Sequence, residues 1–191
     1  MGIEILPATS DRFDDVRLVL APKGTNKTCW CLSFRLTATE HLATADDERP
    51  EIMRELTERD IAPGLLAYVD GEVAGWTGFA PREQMGRLAR SKTIQRIDDV
   101  PVWSLVCFVV KPQFRGQGVA RELLSSAVDY ARSHGAPALE GYPVDPEGGR
   151  LSPTNAFVGT TRLFEDAGFT RAAQTTSKTG GLVRWIVRRD L

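Results

Sequence analysis

The chain has 191 residues, of which 42% are hydrophobic and 26% are charged, and its formal net charge at pH 7 is −1. This length and composition predict one globular domain over residues 1–191 with a substantial buried core. The near-neutral charge gives no electrostatic basis for binding nucleic acid or an anionic membrane, and no apolar run approaches the roughly 20 residues of a membrane span.

The N-terminal third contains predicted secondary structure but no motif that identifies a ligand. Because Met1–Ser10 lacks the basic start and long apolar core of a signal peptide, the sequence indicates a cytoplasmic protein. The predicted elements are, in order, a strand, a helix, a strand or extended wall, and an amphipathic helix: Ile3–Leu6, Arg12–Leu20, Thr28–Leu36 and Asp46–Asp60.

The third of these segments carries aromatic residues and two cysteines. Trp30, Phe34 and Arg35 are candidates for lining a ligand pocket, while the simpler alternative places both aromatic side chains in the core. A structural zinc site needs four ligands and usually has two or more residues between paired cysteines, whereas one residue separates Cys29 from Cys31. We therefore predict ordinary thiols and no metal site.

Two β runs around an Asp-Gly turn form the clearest local signal in the chain. Leu65–Val69 and Glu72–Ala80 flank Asp70-Gly71, a pair typical of a tight hairpin turn. The polar segment Pro81–Arg90 then predicts a short helix. Its three arginines are expected either to form exposed salt bridges or to meet an acidic ligand: Arg82, Arg87 and Arg90.

The most informative stretch is a buried strand followed by glycines and a helix. Trp103–Val110 is apolar at seven of eight positions, which predicts a strand buried on both faces, and Lys111-Pro112 ends it. Gly116 and Gly118 lead into a predicted helix over Arg121–Arg132. Glycines at such a junction let main-chain N–H groups approach an anion, so the sequence predicts a phosphate or pyrophosphate site.

The C-terminal third predicts a strand, a glycine- and proline-rich loop, a helix and two further strands: Ala138–Tyr142, Asp145–Asn155, Val158–Ala167, Phe169–Ala173 and Leu182–Arg188. The strand–helix–strand order over Trp103–Tyr142 implies a right-handed crossover that places two parallel strands near each other. The last two strands are expected to form an antiparallel pair around a polar turn at Gln174–Gly181.

Two motifs resemble those of one superfamily. Arg115-x-x-Gly118-x-Ala120, between a strand and a helix, resembles the acetyl-CoA motif of the GNAT acyltransferases, and Leu163–Phe169 (LFEDAGF) is similar to their Leu-Tyr-x-x-x-Gly-Phe helix end. The order of the predicted elements also matches. The resemblance implies an α/β (mixed α+β) GNAT fold, with a central mixed twisted sheet splayed between two parallel strands and flanked by helices.

The same resemblance implies an acetyl-CoA-dependent N-acetyltransferase. Acetyl-CoA would be a co-substrate, and an amine would attack its thioester directly. A small-molecule primary amine is the favoured acceptor, although a protein or peptide amine stays open. No metal, nucleic acid or membrane partner is expected, and the chain would be a monomer or a homodimer.

The resemblance also assigns the residues that would bind the cofactor. The pantetheine arm would pair with main-chain groups of Phe108, Val109 and Val110. The pyrophosphate would be held by the loop and the start of the helix, with charge-assisted contacts from the arginine: Arg115, Gly116, Gln117, Gly118, Val119 and Ala120.

The catalytic residues are less evident, because the tyrosine that many relatives use as an acid aligns with Phe164. Strand alternation places Glu140 and Tyr142 on one face of the strand flanking the splay, so we predict Glu140 as general base and Tyr142 as general acid. The alternative is a structural carboxylate and a strand-end aromatic. Loss of the tyrosine also leaves open a GNAT domain that binds acyl-CoA as a non-catalytic or regulatory module.

Overall fold

The computed structural model describes residues 2–146, 152 and 155–191. Its centre is a seven-stranded sheet with the order β1-β2-β3-β4-β5-β7-β6, in which only the β4–β5 pair is parallel. The strands are β1 Ile3–Pro7, β2 Gly64–Val69, β3 Glu72–Pro81, β4 Trp103–Val110, β5 Ala138–Gly141, β6 Thr170–Thr179 and β7 Leu182–Asp190. The mixed α/β sheet predicted from the sequence is confirmed.

Helices cover both faces of this sheet. They are α1 Phe13–Leu20, α2 Ala38–Ala43, α3 Arg49–Thr57, α4 Gly86–Ala89, α5 Val119–Ser133 and α6 Thr161–Glu165. Because successive strand residues point to opposite faces, Leu66 packs in the core cluster of α1, whereas Leu65 and Ala67 pack in the cluster of α5. In the described part of the chain, no helix is long and apolar enough to cross a membrane.

The two parallel strands separate after a short paired region. Trp103, Ser104 and Leu105 pair with β5, but β4 continues to Val110 without that neighbour. On its other side β4 pairs with β3 along its length, with a register shift between Gly78 and Phe79. The strand edge facing β5 is therefore open beyond Leu105, which is the predicted splay.

The prediction of a strand or extended wall at Thr28–Leu36 is wrong. The segment forms turns, with Trp30 and Cys31 at φ values of 49° and 57°, and Leu32 N–H donates to the Cys29 carbonyl. Trp30 is fully buried. The aromatic and apolar content that suggested a strand instead fills the core under α1, and local hydrogen bonds satisfy the backbone.

Several predicted boundaries also differ from the structure. The helix predicted over Asp46–Asp60 is shortened to α3, with Pro50 in its first turn. The polar Gln174–Gly181 segment is mostly strand, because it extends β6 against β7 and the turn itself needs only two glycines with positive φ. The loop predicted over Asp145–Asn155 lies largely outside the described residues.

Candidate active site

The glycine loop presents main-chain N–H groups at the start of α5. Gly116 and Gly118 have φ values of 77° and 87°, and a Cβ atom added at either would meet no atom within 4 Å. Both glycines are thus needed for backbone conformation, and the loop surface above them is open. The N–H groups from Gly116 to Ala120 donate to no acceptor in the described part of the chain.

A cavity of about 500 Å³ lies directly over this loop. Its lining includes Arg115, both glycines and the first turn of α5. Open N–H donors, the positive end of a 15-residue helix and an arginine together favour the binding of an anion such as pyrophosphate. Of the predicted loop residues, Val119 is buried and offers only its main chain, and the Gln117 side chain donates back to the Gln113 carbonyl at 2.8 Å.

A second cavity, of about 400 Å³, follows the open edge of β4. It is lined by Phe108, Val109, Val110, Arg115, Ala120, Ala156, Phe157, Gly159 and Leu163. The Arg115 Nε donates to the Val110 carbonyl at 3.2 Å, which joins the loop to the end of the strand. The structure thus brings together the two sets of residues that the sequence assigned to a pantetheine arm and a pyrophosphate.

A third cavity, of about 660 Å³, lies on the other side of Phe157, which lines both it and the second cavity. Phe34 contributes to its wall, as the sequence suggested, whereas Arg35 is buried and donates to the carbonyls of Pro63 and Phe79. Sequence reasoning missed Phe157 and Arg184. An available signal for Arg184 was an arginine inside the otherwise apolar strand GLVRWIV.

Glu140 and Tyr142 meet in a buried hydrogen-bond network. The Tyr142 hydroxyl donates to Glu140 Oε2 at 3.0 Å and accepts from Arg82 Nη1 at 2.7 Å. Since its single proton goes to Glu140, Ser104 Oγ donates to it, also at 2.7 Å. Burial, reinforced by the charge of Glu140, raises the pKa of Tyr142 well above its usual value.

Arginines on two sides of this network hold the Glu140 carboxylate. Arg188 Nη2 lies 2.7 Å from Oε1 and Arg82 Nη1 lies 3.4 Å from Oε2. Arg188 also pairs with Asp98, and this contact holds the pKa of Asp98 below its usual range. Arg82 is only 4% exposed, so the expectation that it forms an exposed salt bridge or meets a ligand is wrong.

The network lies beneath the cavities. Glu140 and Tyr142 are 2% and 1% exposed, and neither lines any of the three cavities. The arrangement can hold a proton between a carboxylate and a phenol and can fix the β4–β5 junction. A proton from a bound acceptor would have to reach it through an intervening group.

Phe164 is fully buried and packs edge-on against Phe108, with ring centroids 6.0 Å apart. A Cβ atom on Gly141 would lie 2.2 Å from the Phe164 ring, so a glycine is required there for the ring to reach the splay.

The three cysteines are free. A hydrogen bond with Cys31, together with burial, raises the pKa of the Cys107 thiol, which suits a core residue. Within the described residues there is no group of three or more histidine, cysteine, aspartate or glutamate side chains that could hold a metal ion.

Several solved structures with the same fold are acetyltransferases or acetyltransferase-like proteins by their names. A mosquito arylalkylamine N-acetyltransferase-like protein (5b) aligns over 100% of both chains with a TM-score of 0.61 and 15% identity. A ribosomal-protein-alanine N-acetyltransferase from Brucella melitensis covers 98% of this chain and 99% of its own, with a TM-score of 0.58 and 18% identity. A putative acetyltransferase from Salmonella typhimurium, solved with its cofactor acetyl-CoA, covers 100% and 94% with a TM-score of 0.55 and 18% identity.

At these identities the structural similarity concerns the fold alone. A search of curated proteins finds no significant match. The sequence profile of the acetyltransferase (GNAT) family, however, matches residues 32–147, which is more than half of the chain and includes the glycine loop and the open strand. The chain therefore belongs to the GNAT acetyltransferase family.

Proposed function

We propose that this protein is an N-acetyltransferase that moves the acetyl group of acetyl-CoA to a primary amine, most simply that of a small molecule. The observation that carries the proposal is the continuity of the site. The open N–H groups of the glycine loop lead along the unpaired edge of β4 to Phe157, beyond which a separate cavity begins.

The cofactor half of the site matches the chemistry of acetyl-CoA. Main-chain donors from Gly116 to Ala120 and the Arg115 guanidinium would bind the pyrophosphate. The free edge of Phe108–Val110 offers peptide groups to the amide groups of a pantetheine arm, as an added strand would. The neighbour solved with acetyl-CoA supports this assignment.

The acceptor half is a cavity whose volume, about 660 Å³, falls within the range of small-molecule sites. Attack there would form the new C–N bond as the C–S bond breaks, with one proton leaving the amine and one reaching the departing thiolate. An N–H on the open β4 edge would polarise the thioester carbonyl. We further propose that residues 1–191 act as one domain, since both core clusters share one sheet.

The roles of Glu140 as general base and Tyr142 as general acid remain predictions. Their burial means that proton transfer to or from a bound acceptor would pass through another group. Phe164 and this buried pair favour one alternative function, a module that binds acyl-CoA without transferring the acetyl group. The alternative predicts binding of acetyl-CoA without thiol release when amines are added.

Calorimetric titration of acetyl-CoA, followed by assay of CoA thiol release with a panel of primary amines, tests the proposal. We expect stoichiometric binding and amine-dependent release. Absence of binding to the folded protein would overturn the cofactor assignment. Binding without amine-dependent release, across both small amines and peptides, would select the non-catalytic alternative.

The Arg115→Gln substitution is expected to raise the dissociation constant of acetyl-CoA by about tenfold, because it removes a charge-assisted contact with the pyrophosphate. The expected melting temperature is unchanged, since among the described residues the Arg115 side chain makes a single hydrogen bond, at 3.2 Å, to the Val110 carbonyl. Arg132→Gln, at the opposite end of α5, is the matched control. Equal affinities for the two variants, measured by calorimetry, would remove Arg115 from the site.

A further inference from the structure

The third cavity contains a buried arginine whose charge has no counterion among the described residues. Arg184 lies in β7 and is 8% exposed, and its guanidinium forms part of the cavity wall. Its Nε donates to Thr179 Oγ1 at 2.7 Å. No carboxylate of the described chain lies within 4 Å of it, and burial lowers the pKa of Arg184.

The other two buried arginines of the described chain have acceptors for their terminal nitrogens. Arg82 bonds Tyr142 and the Ile94 carbonyl and lies beside Glu140, and Arg35 donates to two carbonyls. The Nη groups of Arg184 donate to no acceptor of the described residues. These Nη groups are not among the fully buried unpartnered atoms of the described chain, so they reach solvent in the cavity and are available to a ligand.

Stacking on aromatic rings explains only part of this environment. The Arg184 guanidinium carbon lies 5.4 Å from the ring centroid of Phe34 and 5.7 Å from that of Phe157. Rings bind the flat faces of a guanidinium, whereas its hydrogen-bond donors point outward in its plane. The two rings thus hold Arg184 in place and leave the in-plane Nη donors for a ligand.

The rest of the cavity has the same electrostatic sign. Arg87 and Arg90 also line it, and neither forms an ion pair with a described residue. No aspartate or glutamate is among the described residues of its lining. Apolar side chains such as Leu88 and Ile94 and several hydroxyl groups complete the wall. Three cations without an acid favour an anionic occupant.

We propose that the acceptor carries an oxyanion, a carboxylate or a phosphate, that pairs with the Nη groups of Arg184 in this cavity. The inference rests on the proposed function, because it identifies the cavity beyond Phe157 as the acceptor site. With the anion held at the Nη groups of Arg184, the rest of the acceptor extends past Phe157 toward the open edge of β4. The substrate class is therefore an amino acid or a related anionic amine.

Matched pairs of ligands that differ in the anion test this assignment. L-Phenylalanine is compared with phenethylamine, and L-serine and O-phosphoethanolamine with ethanolamine, by calorimetric titration of the protein with and without saturating CoA. We expect an acid to bind at least about tenfold more tightly than the amine that lacks the anionic group, since a bidentate arginine contact is charge-assisted. The serine and phosphoethanolamine arms distinguish carboxylate from phosphate.

Arg184→Met is expected to abolish the preference for the acid and to leave the affinity for CoA unchanged, and Arg184→Lys is expected to retain part of the preference. Arg132→Met is the control for loss of an exposed arginine, and circular dichroism with thermal melting verifies folding. Equal binding of acid and amine by the folded wild type, or no binding of any acid, would overturn the inference. Failure of CoA to bind would instead overturn the proposed function. The titrations without CoA would still show whether the preference for the acid depends on Arg184.

Discussion

Replacement of Gly118 with aspartate is expected to weaken acetyl-CoA binding by about 100-fold or more and to leave the fold intact. The new carboxylate would stand where the N–H groups of the loop face the pyrophosphate. Repulsion between two like charges roughly 5 Å apart is of order 3 kcal/mol at an effective dielectric constant of about 20, which corresponds to a loss of affinity of about 100-fold. A Cβ atom at this position would meet no protein atom within 4 Å, so no steric clash is expected at the point of substitution. Calorimetric titration measures the loss directly.

Two controls separate charge from backbone strain. The asparagine of Gly118→Asn has nearly the same shape as aspartate and the same backbone strain at a φ of 87°. Because it carries no charge, this variant should bind acetyl-CoA far better than the aspartate variant. Gly135→Asp places an equal charge on another open glycine, with φ of 74°, beyond the far end of α5. If the aspartate and asparagine variants at 118 bind equally well, the anion site is not at this loop.

Replacement of Glu140 with glutamine is expected to lower the free energy of unfolding by about 3–5 kcal/mol. The substitution leaves the charges of Arg82 and Arg188 without their shared carboxylate, at side-chain exposures of 4% and 14%. Removing one partner of a buried ion pair costs this much because the remaining charge cannot regain water. Denaturant unfolding monitored by circular dichroism measures the change.

Glu51→Gln is the matched control, because Glu51 forms an exposed helical pair with Arg54 and its loss should change stability by less than about 1 kcal/mol. A similar small change at Glu140 would contradict the buried network. The Glu140 variant also tests catalysis at a temperature where it remains folded. A general base predicts a fall in kcat of about 10²–10⁴ at saturating acetyl-CoA, whereas a carboxylate that only supports the sheet leaves kcat nearly unchanged.

Local patterns accounted for much of the fold. Trp103–Val110 was predicted with its observed bounds, because an apolar run ended by Lys-Pro is decided by adjacent residues. The Asp70-Gly71 hairpin and the helix after Gly118 follow from equally local chemistry. Thr28–Leu36 was mistaken for extended structure because its composition specifies burial and does not specify backbone shape.

The environments of the candidate site residues could not be predicted in the same way. Glu140 lies 58 positions from Arg82 and 48 from Arg188, and no spacing rule connects residues so far apart. Sequence alternation brought Glu140 and Tyr142 to one face, but it carried no information on what covers that face. An arginine inside an apolar strand was visible in the sequence, but the absence of a carboxylate near Arg184 among the described residues is a property of the folded chain.

Phe157 forms a wall of both the second and the third cavity, which we propose to hold acetyl-CoA and the acceptor. A ligand that shifts this ring from one side changes the shape of the site on the other side, so the two binding free energies are coupled. Thermodynamic linkage requires the coupling to be reciprocal: the factor by which CoA changes acceptor affinity equals the factor by which acceptor changes CoA affinity. The shared ring therefore predicts that the apparent dissociation constant of CoA changes with acceptor concentration, and that of the acceptor with CoA concentration, with the same coupling factor at saturation.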